Sequence, residues 1–364
     1  MLTVWAVDPG RVRRGHLSPL ECSVVLRDCD VGSWTVTVED DDLARRVVEG
    51  WRLIIVDDDL VVSGPVLRFG TDVAERSVTL EGVDDMIHLA DRLVYPDPQA
   101  SAESQGSEAY YRRSGPAETV IRNMIFYNAG QAALVDRRAL VVASTAGRGA
   151  TVSTNLRFKN LLEECRSLAR LGGVQFMVVQ EWDNRIVCRF RVPQDLSRRV
   201  RFTPQSGLAA GSYSLAGPTV THVVVAGQGE GTARTLIERS QSSSWGRRVE
   251  QFQDRRDTDD LADLEQAGAE TLADGAEGAT AQVEVQEVPG CRFGTDFLLG
   301  DTVTAEFGAA TVSEPVRQVE LSWDGHGRTV SVTLGDHESD DDQSPAWVRY
   351  VRDLNSRVRG LETR

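Results

Sequence analysis

The sequence predicts a β-rich α+β fold: two related small β-barrels flank an α/β region, and a helix ends the chain. Three observations predict it. Apolar residues alternate with period two over residues 20–95 and again over 281–334. Two stretches between these blocks carry helical periodicity. A block near residue 50 also recurs 250 residues later, Gly50 returning as Gly300.

The elements follow in chain order. Residues 24–26 and 34–38 alternate as half-buried strands. Residues 52–56 and 60–62, parted by Asp57, Asp58 and Asp59, carry a hairpin signature. Strands at 65–69 and 77–80 and a short helical stretch at 84–93 close the block, with Pro96 and Pro98 at its exit. Residues 1–98 are read as the first β-barrel domain.

Residues 99–115 are polar and read as a loop, and Pro116 stands where a first-turn proline belongs. Val120, Ile121, Met124 and Ile125 make one apolar helix face, which Gly130 ends. A second amphipathic helix runs from about Leu156 to Leu171, with Phe158, Leu161, Leu162, Cys165, Leu168 and Ala169 on its apolar side. Gly172 and Gly173 terminate it as a C-cap. Strands at 174–179 and 186–192 complete an α/β middle domain, residues 99–209. Residues 210–337 read as the second β-barrel domain, with an inserted helix near 259–274. Residues 338–364 form an acidic linker and a C-terminal helix.

The repeat is the most informative feature. Gly50, Ser63 and Pro65 fall on Gly300, Ser313 and Pro315 without a gap. A further shift of four brings Val78, Thr79 and Leu80 onto Val332, Thr333 and Leu334. In both copies a glycine precedes a strand, a short turn makes a hairpin, and a proline sits where no ladder donor is needed. Two unrelated hairpins of similar composition are the alternative to two copies of one barrel. In the terminal helix, Trp347, Val351, Leu354, Val358 and Leu361 are spaced 4, 3, 4, 3, a heptad seam for an oligomer or partner interface. A helix this short must pack on something to be stable; docking on its own chain is the other reading.

Charge and motifs exclude several function classes. The formal charge is −15, from 40 Lys+Arg against 55 Asp+Glu, and general duplex binding needs a basic face. No apolar run approaches the ~18 residues of a membrane helix, so no membrane-spanning segment or secretory signal is expected. Five scattered cysteines without a CxxC fit a reduced, cytosolic folding environment. Gly227, Gly229 and Gly231 imitate a dinucleotide loop, but residues 234–238 alternate as a strand, and a pyrophosphate needs a helix N-terminus. Neither GxSxG nor HExxH occurs, and the aspartate triplets lack calcium-loop spacing. No catalytic, cofactor or metal residue is therefore assigned, and no enzyme activity is expected.

Four ordered motifs carry a family resemblance: Ser63–Gly64–Pro65–Val66; the run 227–231 with Arg234; Trp245–Gly246–Arg247–Arg248–Val249–Glu250 with the run 252–256; and residues 297–303. Together they resemble the tail hub proteins of long-tailed phages, in particular the minor tail protein family of actinobacterial phages, over about residues 20–336. The family's aromatic-Val-Asp run before the arginine departs here to Phe252–Gln253–Asp254. The resemblance implies a likeness to the baseplate hubs of contractile tails. It also implies a homotrimer whose six related barrels adapt a six-fold tail tube to three-fold tip components. The implied partners are distal tail, tail tube and tape-measure proteins, and downstream tail-tip or receptor-binding proteins. DNA is met only in transit, no cofactor is implied, and the location is the virion tail tip after assembly in the host cytoplasm. An acidic channel lining, which would repel sliding phosphates, is expected from the charge. The alternatives are a tail-associated cell-wall hydrolase and a receptor-binding module.

Overall fold

The computed structural model describes residues 2–335 apart from 257 and 309. The heptad residues Trp347, Val351, Leu354, Val358 and Leu361 lie outside the described residues. Seven strands open the chain: β1 (Leu2–Val7), β2 (Arg13–Leu17), β3 (Pro19–Arg27), β4 (Asp30–Glu39), β5 (Arg52–Asp57), β6 (Leu60–Asp72) and β7 (Ser77–Val83). Period-two patterning explains them: Val24, Val36, Val38, Val78 and Leu80 point into the core, and the residues between them are more exposed.

The middle of the chain contributes α1 (Ile87–Ala90), β8 (Tyr111–Pro116), α2 (Ala117–Asn128), β9 (Val141–Val142), β10 (Thr151–Leu156), α3 (Leu161–Gly172), β11 (Gln175–Gln180) and β12 (Ile186–Arg191). Its own core gathers Met86, Leu89, Ile121, Met124, Ile125, Leu161, Leu162, Leu168, Phe176 and Ile186. Asn160 caps α3 by accepting from the Glu163 amide, and Gly173 ends it in the left-handed region. The second helix thus starts at Leu161, not near Leu156. Residues 151–156 are instead a strand paired with β8, and Phe158 sits in the turn between at φ 51°. The tract 99–115 is not all loop, since β8 begins at Tyr111. Pro116 is the N-cap of α2 rather than its first turn.

The remaining elements are β13 (Arg201–Phe202), β14 (Leu208–Ala216), β15 (His222–Ala226), β16 (Leu236–Ser240), β17 (Glu250–Asp254), α4 (Leu261–Asp274), β18 (Gly278–Val285), β19 (Thr302–Phe307), β20 (Ala310–Asp324) and β21 (Gly327–Leu334). β15, β16 and β17 form a separate small sheet. On it α4 packs Leu264, Ala267 and Leu272 against Val220, Val223 and Val225. This sheet and helix are inserted between β14 and β18.

Sheet order makes the repeat explicit. The first set runs β1-β5-β6-β7-β4-β3, and the second runs β13-β19-β20-β21-β18-β14. Even the irregularities coincide. β6 slips register between Val66 and Arg68 against β7, as β20 does between Val316 and Gln318 against β21. β3 slips between Pro19 and Glu21, as β14 does between Leu208 and Ala210. Gly50 and Gly300 both hold the left-handed region, at φ 81° and 80°. The Val66 amide donates to Trp51 O and the Val316 amide to Asp301 O, each at 2.9 Å. The strand insertion therefore occupies, in the second set, the place of the tight β3–β4 turn around Asp28 and Cys29.

Two expectations change. The last strand is displaced by two rather than four: Val66 faces Gly82 and Val316 faces Leu334, which sets Val78 on Val330. An even slip leaves the same residues on the buried face, so hydrophobic pattern alone does not choose between the registers. Nor does either set close into a barrel by hydrogen bonds among the described residues. The larger sheet is an open path from β14 to β2, because the second half of β20 pairs with β3 as well as β21. One hydrophobic core serves both sets, running from Val4, Val24 and Leu53 to Val303, Val319 and Val332.

Two tests follow from these contacts. A Cβ on Gly64 would lie 1.7 Å from the Val83 carbonyl oxygen, whereas one on Gly70 would meet nothing within 4 Å. Gly64→Ala should lower the unfolding free energy in urea by ~3 kcal/mol or more, and Gly70→Ala should change it little. At the start of α2 the buried Glu118 carboxylate takes the Arg148 fork (2.7 and 2.9 Å) and the amides of Ala146 and Arg148. The Arg148 hydrogen bonds, ahead of opposing burial, hold its pKa down at about 2, from an ordinary 4.5. This contribution is complete above the ordinary value and fades as pH falls toward 2. Glu118→Gln should cost ~2 kcal/mol at neutral pH, with the gap to the unsubstituted chain closing in acid.

Candidate assembly interface

The two strand sets meet along β20 and β3, antiparallel from Gln318 opposite Arg27 to Trp323 opposite Cys22. Val319 and Leu321 meet Leu26 and Val24, all on the core side and buried. Polar groups close one end. Arg317 Nη1 lies 2.6 Å from Asp28 Oδ2, the Asp28 amide donates to Arg317 O at 2.8 Å, and Arg27 Nε donates to Gln318 Oε1 at 3.0 Å. At the other end Asp57 accepts from Trp323 Nε1 at 3.3 Å and pairs with Arg328 at 3.2 Å.

Each set also grips the middle region through buried charge. Arg52 of β5 donates to Gln180 Oε1 (3.0 Å) and to Asp85 Oδ1 (2.5 Å). Ser63 Oγ donates to Asp85 Oδ2 at 2.6 Å and accepts the Gln180 amide at 2.7 Å. His88 Nε2 stands 3.4 Å from Asp85 Oδ1, without hydrogen-bond geometry. In the second set the buried Asp301 takes Arg191 Nη1 and the Gln194 amide, each at 2.8 Å, and the Leu298 amide at 2.9 Å. These carboxylates are committed to their neighbours.

Other candidates for chemistry resolve in the same way. All five cysteines are buried and unpaired. Burial pushes the Cys22 thiol up to about 12 and raises Cys29, Cys165, Cys188 and Cys291, which disfavours the thiolate at each. Among the described residues no group of three or more His, Cys, Asp or Glu could hold a metal ion. No helix among them is long and apolar enough to cross a membrane. The glycine-rich run after β15 is not a phosphate cradle. Arg234 folds back to the Gly227 and Ala226 carbonyls at 2.7 and 3.0 Å, a single 3-10 turn intervenes, and β16 follows. Trp245 lies over Gly217, and Arg248 pairs with Glu238 and Glu250. These two motifs thus shape the inserted sheet, while residues 63–66 and 297–303 flank the corresponding bends of β6 and β20.

Two strand edges complete the inventory. Among the described residues the larger sheet ends at β14, and residues 68–72 of β6 pair only with β7. Sequence reasoning missed both edges and the β20–β3 joint. The signal was present in Tyr213 and Leu215, apolar at alternate positions of a strand.

Adjacent carboxylates give a test of the buried cluster. Burial pushes the Asp84 carboxyl up to about 7, although the Gly32 and Met86 amides oppose it. Burial acts on Asp85 too, but the His88 imidazole and the Arg52 guanidinium outweigh it and hold that carboxyl below its ordinary value. Asp84 therefore costs stability as pH rises from 3.8 through about 7, while Asp85 adds stability above its ordinary range that is lost in acid. In urea unfolding at pH 8 compared with pH 5, Asp84→Asn should gain relative to the unsubstituted chain. Asp85→Ala should cost ~3–5 kcal/mol at neutral pH, because Arg52 is left buried and uncompensated.

The chain matches the Siphovirus ReqiPepy6 Gp37-like protein family over residues 3–336. No curated protein sequence matches it significantly. Its fold is similar to that of three crystal structures. The 43 kDa tail protein of prophage MuSo2 from Shewanella oneidensis is 11% identical, with a TM-score of 0.59 over 92% of this chain and 97% of that one. The tail protein from Neisseria meningitidis MC58 is 12% identical, with a TM-score of 0.56 over 92% and 96%. The prophage tail protein gp18 from Listeria monocytogenes EGD-e is 12% identical, with a TM-score of 0.57 over 96% and 99%. With a family match spanning both strand sets and a fold shared with phage tail proteins, the chain belongs to the Siphovirus ReqiPepy6 Gp37-like protein family.

Proposed function

We propose that the chain is a structural hub of a phage tail tip: a trimeric adaptor that joins the six-fold tail tube and distal tail ring to three-fold tip components, and that forms and closes the DNA channel. The observation that carries this reading is the repeated strand order, with its matched bulges and matched glycines. Three chains would present six quasi-equivalent strand sets, the number a six-fold tube requires. The two sets are read as related barrels, completed by packing rather than by an unbroken ladder.

The role is non-enzymatic, in keeping with buried carboxylates that are spent on ion pairs. The heptad spacing of Trp347, Val351, Leu354, Val358 and Leu361 would provide a seam about the three-fold axis or for the next tip protein. The partners are distal tail, tail tube and tape-measure proteins on one side and receptor-binding components on the other, with acidic residues lining the passage for DNA.

The direct test is native mass and particle imaging. A trimer of 39.9 kDa chains should appear at about 120 kDa in solution, and three copies should sit at the tail tip. Six copies at the tip, or one, would overturn the adaptor reading. Leu354→Asp should reduce the trimer fraction or the retention of the next tip protein, measured on the same samples.

A further inference from the structure

We propose that the cavity between the two large cores is a binding site for a compact, uncharged, apolar molecule, an aromatic ring or branched hydrocarbon of ~6–8 heavy atoms. This goes beyond the hub reading and does not depend on it.

The site lies where three parts of the chain meet. Leu26 of β3, Val62 of β6 and Phe293 of the β18–β19 connection belong to the core that the strand sets share. Met86, Phe176 and Val178 belong to the core of the middle region. These six side chains, all buried, line a cavity of about 120 Å³. Met177 and Leu298, 47% and 39% exposed, are the open members of the lining and mark its mouth. The wall contributed by the β18–β19 connection is pinned. Phe297 meets Phe202 and Phe293 edge-on, with ring centres 5.5 and 5.6 Å apart, and Arg191 donates to the Leu299 carbonyl. Each core is thus fixed by its own contacts, and neither closes the space between them. A void of this size costs stability that a filled one does not.

The walls define the chemistry of the occupant. Five polar residues border the cavity, namely Arg27, Ser63, Asp84, Gln175 and Arg191, and each is already engaged. Ser63 Oγ is bonded to Asp85 and to the Gln180 amide. Gln175 donates to Asp28 Oδ1 at 3.1 Å and accepts from Arg191 Nε, and Arg191 also holds Asp301. Arg27 donates to Gln318 Oε1 at 3.0 Å and to the Val31 carbonyl at 3.1 Å. Asp84 accepts the Met86 amide at 3.1 Å and also the Gly32 amide. None of the five carries a buried polar atom left without a partner. A buried water needs ~2–4 polar partners, so these walls hold water poorly. A charged ligand would give up its hydration against polar groups that are already spent. An apolar molecule displaces the water and gains contact with both cores. Size follows from volume: an apolar cavity of ~150 Å³ in another protein stays dry and takes benzene.

The experiment uses the full chain with fluorobenzene, followed by fluorine NMR. Saturable broadening with a dissociation constant of ~1 mM is expected, together with a rise in the urea midpoint as ligand is added. 4-Fluorobenzoate and 4-fluorobenzylamine, the same ring with a charge of either sign, should bind at least ~10-fold more weakly. Leu298→Trp and Met177→Trp set a larger ring at the mouth, and each should weaken fluorobenzene at least ~10-fold. Both side chains are exposed, so the variants should keep the urea midpoint of the unsubstituted chain when no ligand is present. Absence of saturable binding up to ~10 mM fluorobenzene overturns the site. Undiminished binding by both tryptophan variants puts the ligand elsewhere and overturns it as well, whereas loss in either supports it. Equal or tighter binding of a charged analogue overturns the uncharged class. None of these outcomes touches copy number at the tail tip, so the hub reading stands or falls separately.

Discussion

One strand must serve two ladders, and most of the architecture follows from how it bends. The first half of β6 pairs with β5 and its second half with β7; β20 does the same between β19 and β21. The switch falls one residue after Pro65 and Pro315. A proline offers no amide to either ladder, and the bulge behind it adds the local twist that redirects the strand. The next amide, of Val66 or Val316, returns to a carbonyl of the residue preceding β5 or β19 and fixes the angle. Gly64 lets β6 approach the Val83 carbonyl at the crossing, a contact no side chain permits. The bend holds each set around the shared core. It also carries the second half of the strand past its own set, where it presents a second edge. β20 spends that edge on β3.

The two sets diverge where they touch the middle region. The residue before β5 is Trp51, largely buried and in the common core; its counterpart before β19 is Asp301, equally buried but held by Arg191, Gln194 and Leu298. Arg52 reaches across to Asp85 and Gln180, while its counterpart Thr302 exchanges backbone hydrogen bonds with Gln194 and Leu196. The fold is thus held in common by apolar positions, and each copy is individualised by a buried polar contact. Leaving one partner of such a contact unpaired is costly, so these residues fix the attitude of each set more firmly than their net contribution to stability suggests.

This division explains what was legible in the sequence. The gap-free match of Gly50, Ser63 and Pro65 to Gly300, Ser313 and Pro315 survives because glycine conformation, turn and bend are local requirements. The slip of two residues in the last strand did not show, since both even registers bury the same side. Strands β8 and β10 were hidden because each is short and largely polar, so neither carries a hydrophobic period long enough to read. β1 and β2 escaped for a related reason: Arg13, Arg14 and His16 mask a strand whose pairing is set by its neighbour. The β20–β3 joint spans nearly the whole chain, and pairing between distant strands leaves no spacing to measure. The heptad seam is plain in sequence and lies outside the described residues.

The insertion gives the repeat its directional meaning. Residues 217–277 occupy, in the second set alone, the place of the tight turn around Asp28 and Cys29. The strands β3 to β7 of the first set recur in the second as β14 and β18 to β21, although β1 pairs β5 antiparallel where β13 pairs β19 in parallel; the β15–β17 sheet and α4 belong to one set. In a ring of three such chains, the shared strands would repeat six times and the insertion three times. A six-fold face and a three-fold face would then arise from one polypeptide without any change of conformation. α4 is not free to swing in such a ring, because Gln266 exchanges hydrogen bonds with the Ser153 backbone of β10, both at 2.6 Å. The element that would lower the symmetry of the proposed ring is therefore anchored to the middle region.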